Sequence, residues 1–139
     1  MTKRAACIFY QRFDGKVLVV DRFNKSNVPK DYGLPGGKVE LKEETSTAAI
    51  RECQEETGID VWKLNITAYS ATDARDGYHT TTYQALEVFG EELVQSDEGE
   101  ALWVDPEELL GEQCTFRDYN RNVMGFFGVP LFGLPARNQ

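Results

Sequence analysis

The hydrophobic and polar positions fall into short runs separated by turn residues. Ala5 to Tyr10 and Val17 to Val20 are apolar and β-prone, and Asp14-Gly15 between them carries hairpin chemistry, so the chain is expected to open as two antiparallel strands. A polar stretch from Asn24 to Tyr32 leads into Gly33-Leu34-Pro35-Gly36-Gly37, a loop whose glycines admit positive φ and a close approach of backbone to a ligand. Thr45 to Thr57 lacks Gly and Pro, offers Thr45 or Ser46 as an N-cap, and meets Gly58 where a helix C-terminal cap belongs; the spacing predicts a helix. Leu64 to Thr72 and Thr80 to Phe89 read as a second hairpin around a polar tip at Asp73 to Gly77. Leu102-Trp103-Val104 suggests a short buried strand, Pro106 opens a helix through Leu110, and Asp118 to Phe127 suits another helix. Gly128 to Gln139 reads as irregular, and no repeat or linker divides residues 1–139, which are expected to form one α+β domain.

On a helical wheel Ser46, Ala49, Ile50, Cys53 and Thr57 share one side of the 45–57 segment, a packing face. Glu52, Glu55 and Glu56 share the neighbouring side with Thr45 and Ala48. Those three glutamates repel one another at i,i+3 and i,i+4 and lie toward the negative end of the helix dipole, an arrangement unfavourable for stability alone. A divalent cation resolves the conflict, because Mg²⁺ or Mn²⁺ prefers carboxylate oxygens and this spacing directs three carboxylates toward one small volume. Composition points the same way. With 15 Lys plus Arg against 23 Asp plus Glu the net charge is −8, which argues against broad nucleic-acid binding and leaves phosphorylated ligands to be reached through a bridging cation. No apolar run is long enough for a membrane span and the opening residues do not fit a signal peptide, so the expected compartment is the cytoplasm. Cys7, Cys53 and Cys114 are too few and too dispersed for a disulfide framework or a zinc knuckle and are read as reduced thiols.

Gly37, Glu43, Arg51, Glu52, Glu55, Glu56, Gly58 and Ile59 stand in the register of one signature: Gly, five residues, Glu, seven residues, Arg-Glu, two residues, Glu-Glu, one residue, Gly and an apolar residue. In this the chain closely resembles the Nudix hydrolases, the MutT-like enzymes. The resemblance implies a Nudix fold, an α/β/α sandwich with a mixed β-sheet between helices. It also implies that Glu55 and Glu56 are metal ligands, that Glu52 is a ligand or the base that activates water, that Gly37 offers its carbonyl oxygen, and that Glu43 and Arg51 support the motif. Members commonly add one acid before the late strand; Glu98 is the choice here as ligand or catalytic group, with Glu100 as competitor. Departures from the pattern are Cys53 at a usually aliphatic position, Lys42 where many members have Gly, and Tyr32 in place of a frequent Trp. None of them touches a carboxylate. The plain alternative for Arg51 and Glu55, an i,i+4 surface pair, is compatible with metal binding.

The implied activity is Mg²⁺-dependent hydrolysis, with Mn²⁺ as the alternative ion, of a diphosphate in a nucleoside diphosphate linked to X. A nucleoside triphosphate or its oxidised form is the first expectation, with nucleotide sugars, dinucleotides, RNA 5′ ends and a non-catalytic nucleotide-binding module as alternatives. Val61 to Val104 contains no proline, whereas ADP-ribose-cleaving members often carry one shortly after the motif. For base recognition Tyr78, Phe116, Tyr119, Phe126 and Phe127 offer aromatic faces, and Asp118, Asn120 and Asn122 polar edges; for phosphate, Lys30, Lys38 and Arg75 offer charge. Each of these also has an ordinary structural explanation in the core, at a helix cap or on the surface. Trp103 and His79 read as structural, and a homodimer is compatible with the sequence.

Overall fold

The computed structural model describes residues 3–90 and 92–131; most of the expected irregular tail, 132–139, lies outside them. Along the chain run β1 (Lys3–Phe9), β2 (Val17–Asp21), a one-turn α1 (Phe23–Ser26), β3 (Tyr32–Gly33), β4 (Gly36–Lys38), α2 (Thr45–Thr57), β5 (Asp60–Thr72), β6 (Tyr78–Phe89), β7 (Gln95–Ser96), β8 (Gly99–Val104), a 3-10 helix (Pro106–Leu110) and α3 (Arg117–Phe126). Ala5–Phe9 of β1 and Val17–Val20 of β2 are apolar runs because both of their faces are covered. Ala6, Ile8 and Leu18 turn to one side, where Ala48, Ala49 and Cys53 of α2 close over them. Phe9, Val17 and Val19 turn to the other, under Leu109 and Leu110 of the 3-10 helix and Val123 and Met124 of α3. Helices therefore lie on both faces of the strands, the α+β layering that the motif implied.

The strands form two sheets, ordered β4-β1-β6-β5 and β3-β2-β8-β7. β1 runs parallel to β6 and antiparallel to β4; the remaining pairs are antiparallel. This corrects the expected opening hairpin. Gly15 turns at φ 92° as its turn chemistry requires, yet β1 and β2 part at once into different sheets. Between them run a Gln11–Val17 bridge, the Leu18 N–H to Tyr10 carbonyl bond at 3.0 Å and, nearer the turn, the Arg12 N–H to Lys16 carbonyl bond at 2.8 Å.

α2 spans the expected residues and ends on Gly58 in the left-handed conformation at φ 82°, whose N–H reaches the Gln54 carbonyl at 2.9 Å. Its start differs by one residue: Glu44 is the N-cap, with no side-chain capping bond, and Thr45 and Ser46 are already helical. The second hairpin forms with its tip at 73–77, while Trp62 sits at an irregularity of β5 with its ring stacked on Phe89, 5.4 Å between centroids. Trp103 packs at the edge of the α2-side core, with Arg12 over its ring and Tyr10 edge-on. His79 pairs with Thr72 across the β5–β6 ladder, Nδ1 to Oγ1 2.8 Å, a plain structural place. Among the described residues no helix is long and apolar enough to cross a membrane.

Candidate active site

Gly36 and Gly37 are laid flat between β1 and α2, in register with Cys7 and Ala6. A Cβ on Gly36 would strike the Ala6 carbonyl and Cys7, and one on Gly37 would strike the Glu52 carboxylate. This is the close approach for which the loop's glycines are needed. Arg51 fastens the same loop to α2. Its Nε and Nη2 grip the two Glu43 carboxylate oxygens at 2.8 and 3.0 Å, Nη2 also donates to the Lys38 carbonyl at 3.2 Å, and Nη1 donates to Glu52 Oε1 at 3.1 Å and Glu55 Oε1 at 3.2 Å. The Arg51 hydrogen bonds hold the Glu43 carboxyl down at about 2, with a further contribution from the Glu40 N–H. Between the two anchors Lys42 takes a left-handed φ of 67°, which accounts for the glycine common at this place in the resembling family.

The three helix glutamates stand on one side of α2 but in three environments. Glu56 is buried, 4% exposed, and Oε1 accepts the Gly36 N–H at 3.0 Å. Burial pushes its carboxyl up to about 8; the Glu52 and Glu98 charges act in the same direction, and the Gly36 N–H and Arg22 oppose them. Glu52 is raised too, chiefly by burial, with Arg51 opposing and Glu55 and Glu98 assisting. Glu55 points outward onto Arg51, the i,i+4 surface pair allowed for above. The expected acidic face is therefore partly internal, since Ala48 and Glu56 are both buried. Among the described residues no three acidic, cysteine or histidine side chains converge as a preformed metal cage. The chemistry of the inner two nevertheless fits a hard divalent ion: the Glu52 and Glu56 carboxylates lie in poorly solvated space, where burial raises both, and Glu56 is the more buried.

Glu98 lies in the β7–β8 turn, and its charge reaches both Glu52 and Glu56. Glu100 instead sits opposite Asp21 across the β2–β8 ladder and accepts from Gln95 at 3.4 Å, so Glu98 is the better placed of the two acids.

Beyond Gly36–Lys38 opens a cleft of about 900 Å³, walled by the β5–β6 tip and by the segment leading into α3. Lys38, Tyr78, Asp118, Asn120, Asn122 and Phe116 all line it. Asn120 is buried at 1% exposure and commits its Nδ2 to the Tyr32 and Leu109 carbonyls, at 3.2 and 3.0 Å, so α3 is stapled to β3 through it. The Tyr119 hydroxyl is likewise engaged inward, 2.6 Å from Thr82 Oγ1. Phe127 stacks on Phe9 in the core, and Phe126 packs on Tyr69 outside the cleft. Of the other basic candidates, Arg75 lines the cleft and is paired with Asp73 at 2.8 Å, whereas Lys30 does not line it. The sequence reading missed Arg22. Its guanidinium lies 4.5 Å from the centre of the Phe116 ring inside the cleft, and its Nε is buried with no hydrogen-bond partner among the described residues. An arginine closing an apolar strand was the available signal, but only the fold brings Phe116 beneath it. Cys7, Cys53 and Cys114 are free thiols, and burial pushes the first two up to about 12.

A family model described as the NUDIX domain matches residues 1–124, and the chain belongs to the Nudix family of hydrolases, enzymes that act on phosphoric anhydride bonds and use divalent metal ions such as Mg²⁺. An ADP-ribose pyrophosphatase of Methanocaldococcus jannaschii is 36% identical over 117 residues, covering 78% of this chain and 68% of that protein. A CTP pyrophosphohydrolase of Escherichia coli strain K12 is 32% identical over 102 residues, covering 70% and 72%. The crystal structure of a MutT Nudix hydrolase from Burkholderia pseudomallei superposes with a TM-score of 0.69 at 25% identity, covering 88% of this chain and 98% of that one. The chain spans 68%, 60% and 55% of the length of the first three curated relatives.

Proposed function

We propose that this chain hydrolyses the diphosphate of a nucleoside diphosphate derivative, with nucleoside triphosphates, including oxidised ones, as the substrate class. The observation that carries the reading is the buried Glu56 beside Glu52, set directly behind a glycine loop that borders a nucleotide-sized cleft. Glu52, Glu55, Glu56 and Glu98, with the Gly37 carbonyl, would hold the metal, Mg²⁺ or else Mn²⁺. When bound there, that ion supplies the positive charge that a diphosphate and these carboxylates both require.

The chain's own groups do the rest. Glu52 Oε2 lies against Gly37 while Oε1 is engaged by Arg51, so Oε2 is the atom that takes the proton of the attacking water. Its raised pKa brings the carboxylate closer to neutral pH than an ordinary glutamate, which makes it a better general base. Water adds to phosphorus, the bridging P–O bond breaks, and two phosphate-bearing fragments leave. Arg51 keeps Glu52 in place, the Arg22–Phe116 platform faces the nucleotide, and Lys38 and Tyr78 border it.

A second reading, ADP-ribose as substrate, is favoured by the identity to the Methanocaldococcus enzyme. The test is a panel of nucleoside triphosphates, oxidised triphosphates, dinucleotides and nucleotide sugars incubated with Mg²⁺, scoring phosphate and pyrophosphate release. Turnover of a triphosphate that Glu52→Gln lowers at least about a hundredfold supports the reading. Preferential turnover of ADP-ribose selects the second, and near-normal turnover by Glu52→Gln removes Glu52 as the base.

A further inference from the structure

Glu98, like Glu52 and Glu55 with Arg51, already has a cationic partner. Glu98 Oε2 lies 3.4 Å from Nζ of Lys25 on α1, and both side chains are about half exposed, at 49% and 50%. The backbones beneath them are held more firmly than the pair itself. Ser96 Oγ accepts the Glu98 N–H at 3.1 Å, and Gly99, at φ 143°, presses so close to β2 that a Cβ there would strike the Asp21 carbonyl. Asp21 Oδ1 in turn accepts the Phe23 N–H, 3.1 Å, at the start of α1. Behind the turn, Val94 N–H donates to the Thr57 carbonyl at 3.1 Å, which anchors this segment beside the residue that follows Glu56. Glu98 thus has a fixed main chain and a half-exposed carboxylate that rests on Lys25 and whose charge acts on Glu52 and Glu56.

We propose that Lys25 is the resident counter-cation of Glu98, a positioning residue that holds this carboxylate at the rim of the acidic centre until a divalent cation takes it over. The inference rests on Glu98 being a metal ligand, as argued above. Half-exposed ion pairs are weak and exchange readily. A doubly charged ion flanked by further carboxylates attracts Glu98 more strongly than one solvated ammonium does, so the exchange runs toward the metal. Lys25 then acts as a competitor built into the fold, setting how much free cation is needed to complete the site.

The test is Mn²⁺ binding to the full chain without nucleotide at neutral pH and low salt, followed by calorimetry or by the Mn²⁺ paramagnetic signal. Lys25→Met keeps the aliphatic stem and removes the charge, and is expected to tighten Mn²⁺ binding about threefold, the scale of an exposed ion pair. Glu98→Gln is expected to weaken binding, and Lys25→Met added to Glu98→Gln to change nothing further. Lys63→Met, which removes an equal charge from the remote Lys63–Glu87 pair, serves as the control and leaves affinity unchanged. Equal tightening with and without Glu98 would show a diffuse field effect and overturn the proposal, as would an unaltered affinity in Lys25→Met or in Glu98→Gln. If the wild-type chain binds no Mn²⁺, the metal reading fails and this one with it. Binding that Glu56→Gln abolishes but Lys25 does not influence removes Lys25 alone.

Discussion

Lys42 holds a left-handed backbone at φ 67°, a conformation that disfavours any residue with a Cβ by about 1 kcal/mol. Glycine there relieves the strain while widening the unfolded ensemble, so Lys42→Gly is expected to raise stability by about 0.5 kcal/mol, read as a higher midpoint in urea. Glu56 makes a prediction of the opposite kind. Its carboxyl is raised from 4.5 to about 8, so the metal-free folded state binds this proton more tightly than the unfolded chain does. The stabilisation is complete below pH 4.5 and is lost as pH rises toward 8. Melting the metal-free protein across that range should show a falling Tm, which Glu56→Gln flattens. Glu43 acts in a separate window: held at about 2 by Arg51, it contributes stability above its ordinary 4.5 that is lost on further acidification. The sequence marked both glutamates through the motif, but their environments depend on burial and on Arg51, which spacing alone does not determine.

Arg51 is where two elements become one unit, since its fork joins the Glu43 loop, the Lys38 carbonyl and the α2 carboxylates. A lysine carries the charge without the fork. Arg51→Lys is expected to lower stability by about 1 kcal/mol in urea titration and to lower kcat more than it raises KM, because Glu52 loses its orientation. The elements differ in how legible they were. α2 is written locally, in a Gly- and Pro-free stretch closed by Gly58. The partners of β1 are not: its parallel neighbour β6 begins at Tyr78, so the expected hairpin gave way to long-range pairing that no local alternation encodes. α1 is a single turn supported by the Asp21 side chain, and its four residues carry no helical periodicity to read.

The fold as a whole gives the short strand Gly36–Lys38 two neighbouring sides, the α2 carboxylates behind Gly37 and the cleft that the strand borders. The two sides should therefore respond to different kinetic constants. Phe116→Ala and Arg22→Met are each expected to raise KM for a nucleotide substrate about tenfold with kcat within about twofold, whereas changes at Glu52 act on kcat. Because the ring and the guanidinium form one contact, the double variant should fall well short of the product of the two effects. The molecule's two tryptophans stand elsewhere, Trp62 on the outer strand against Phe89 and Trp103 beneath Arg12. Neither borders the cleft. The native chain thus has no indole at the place where its chemistry is expected, and one introduced at position 116 would give that place a tryptophan emission of its own.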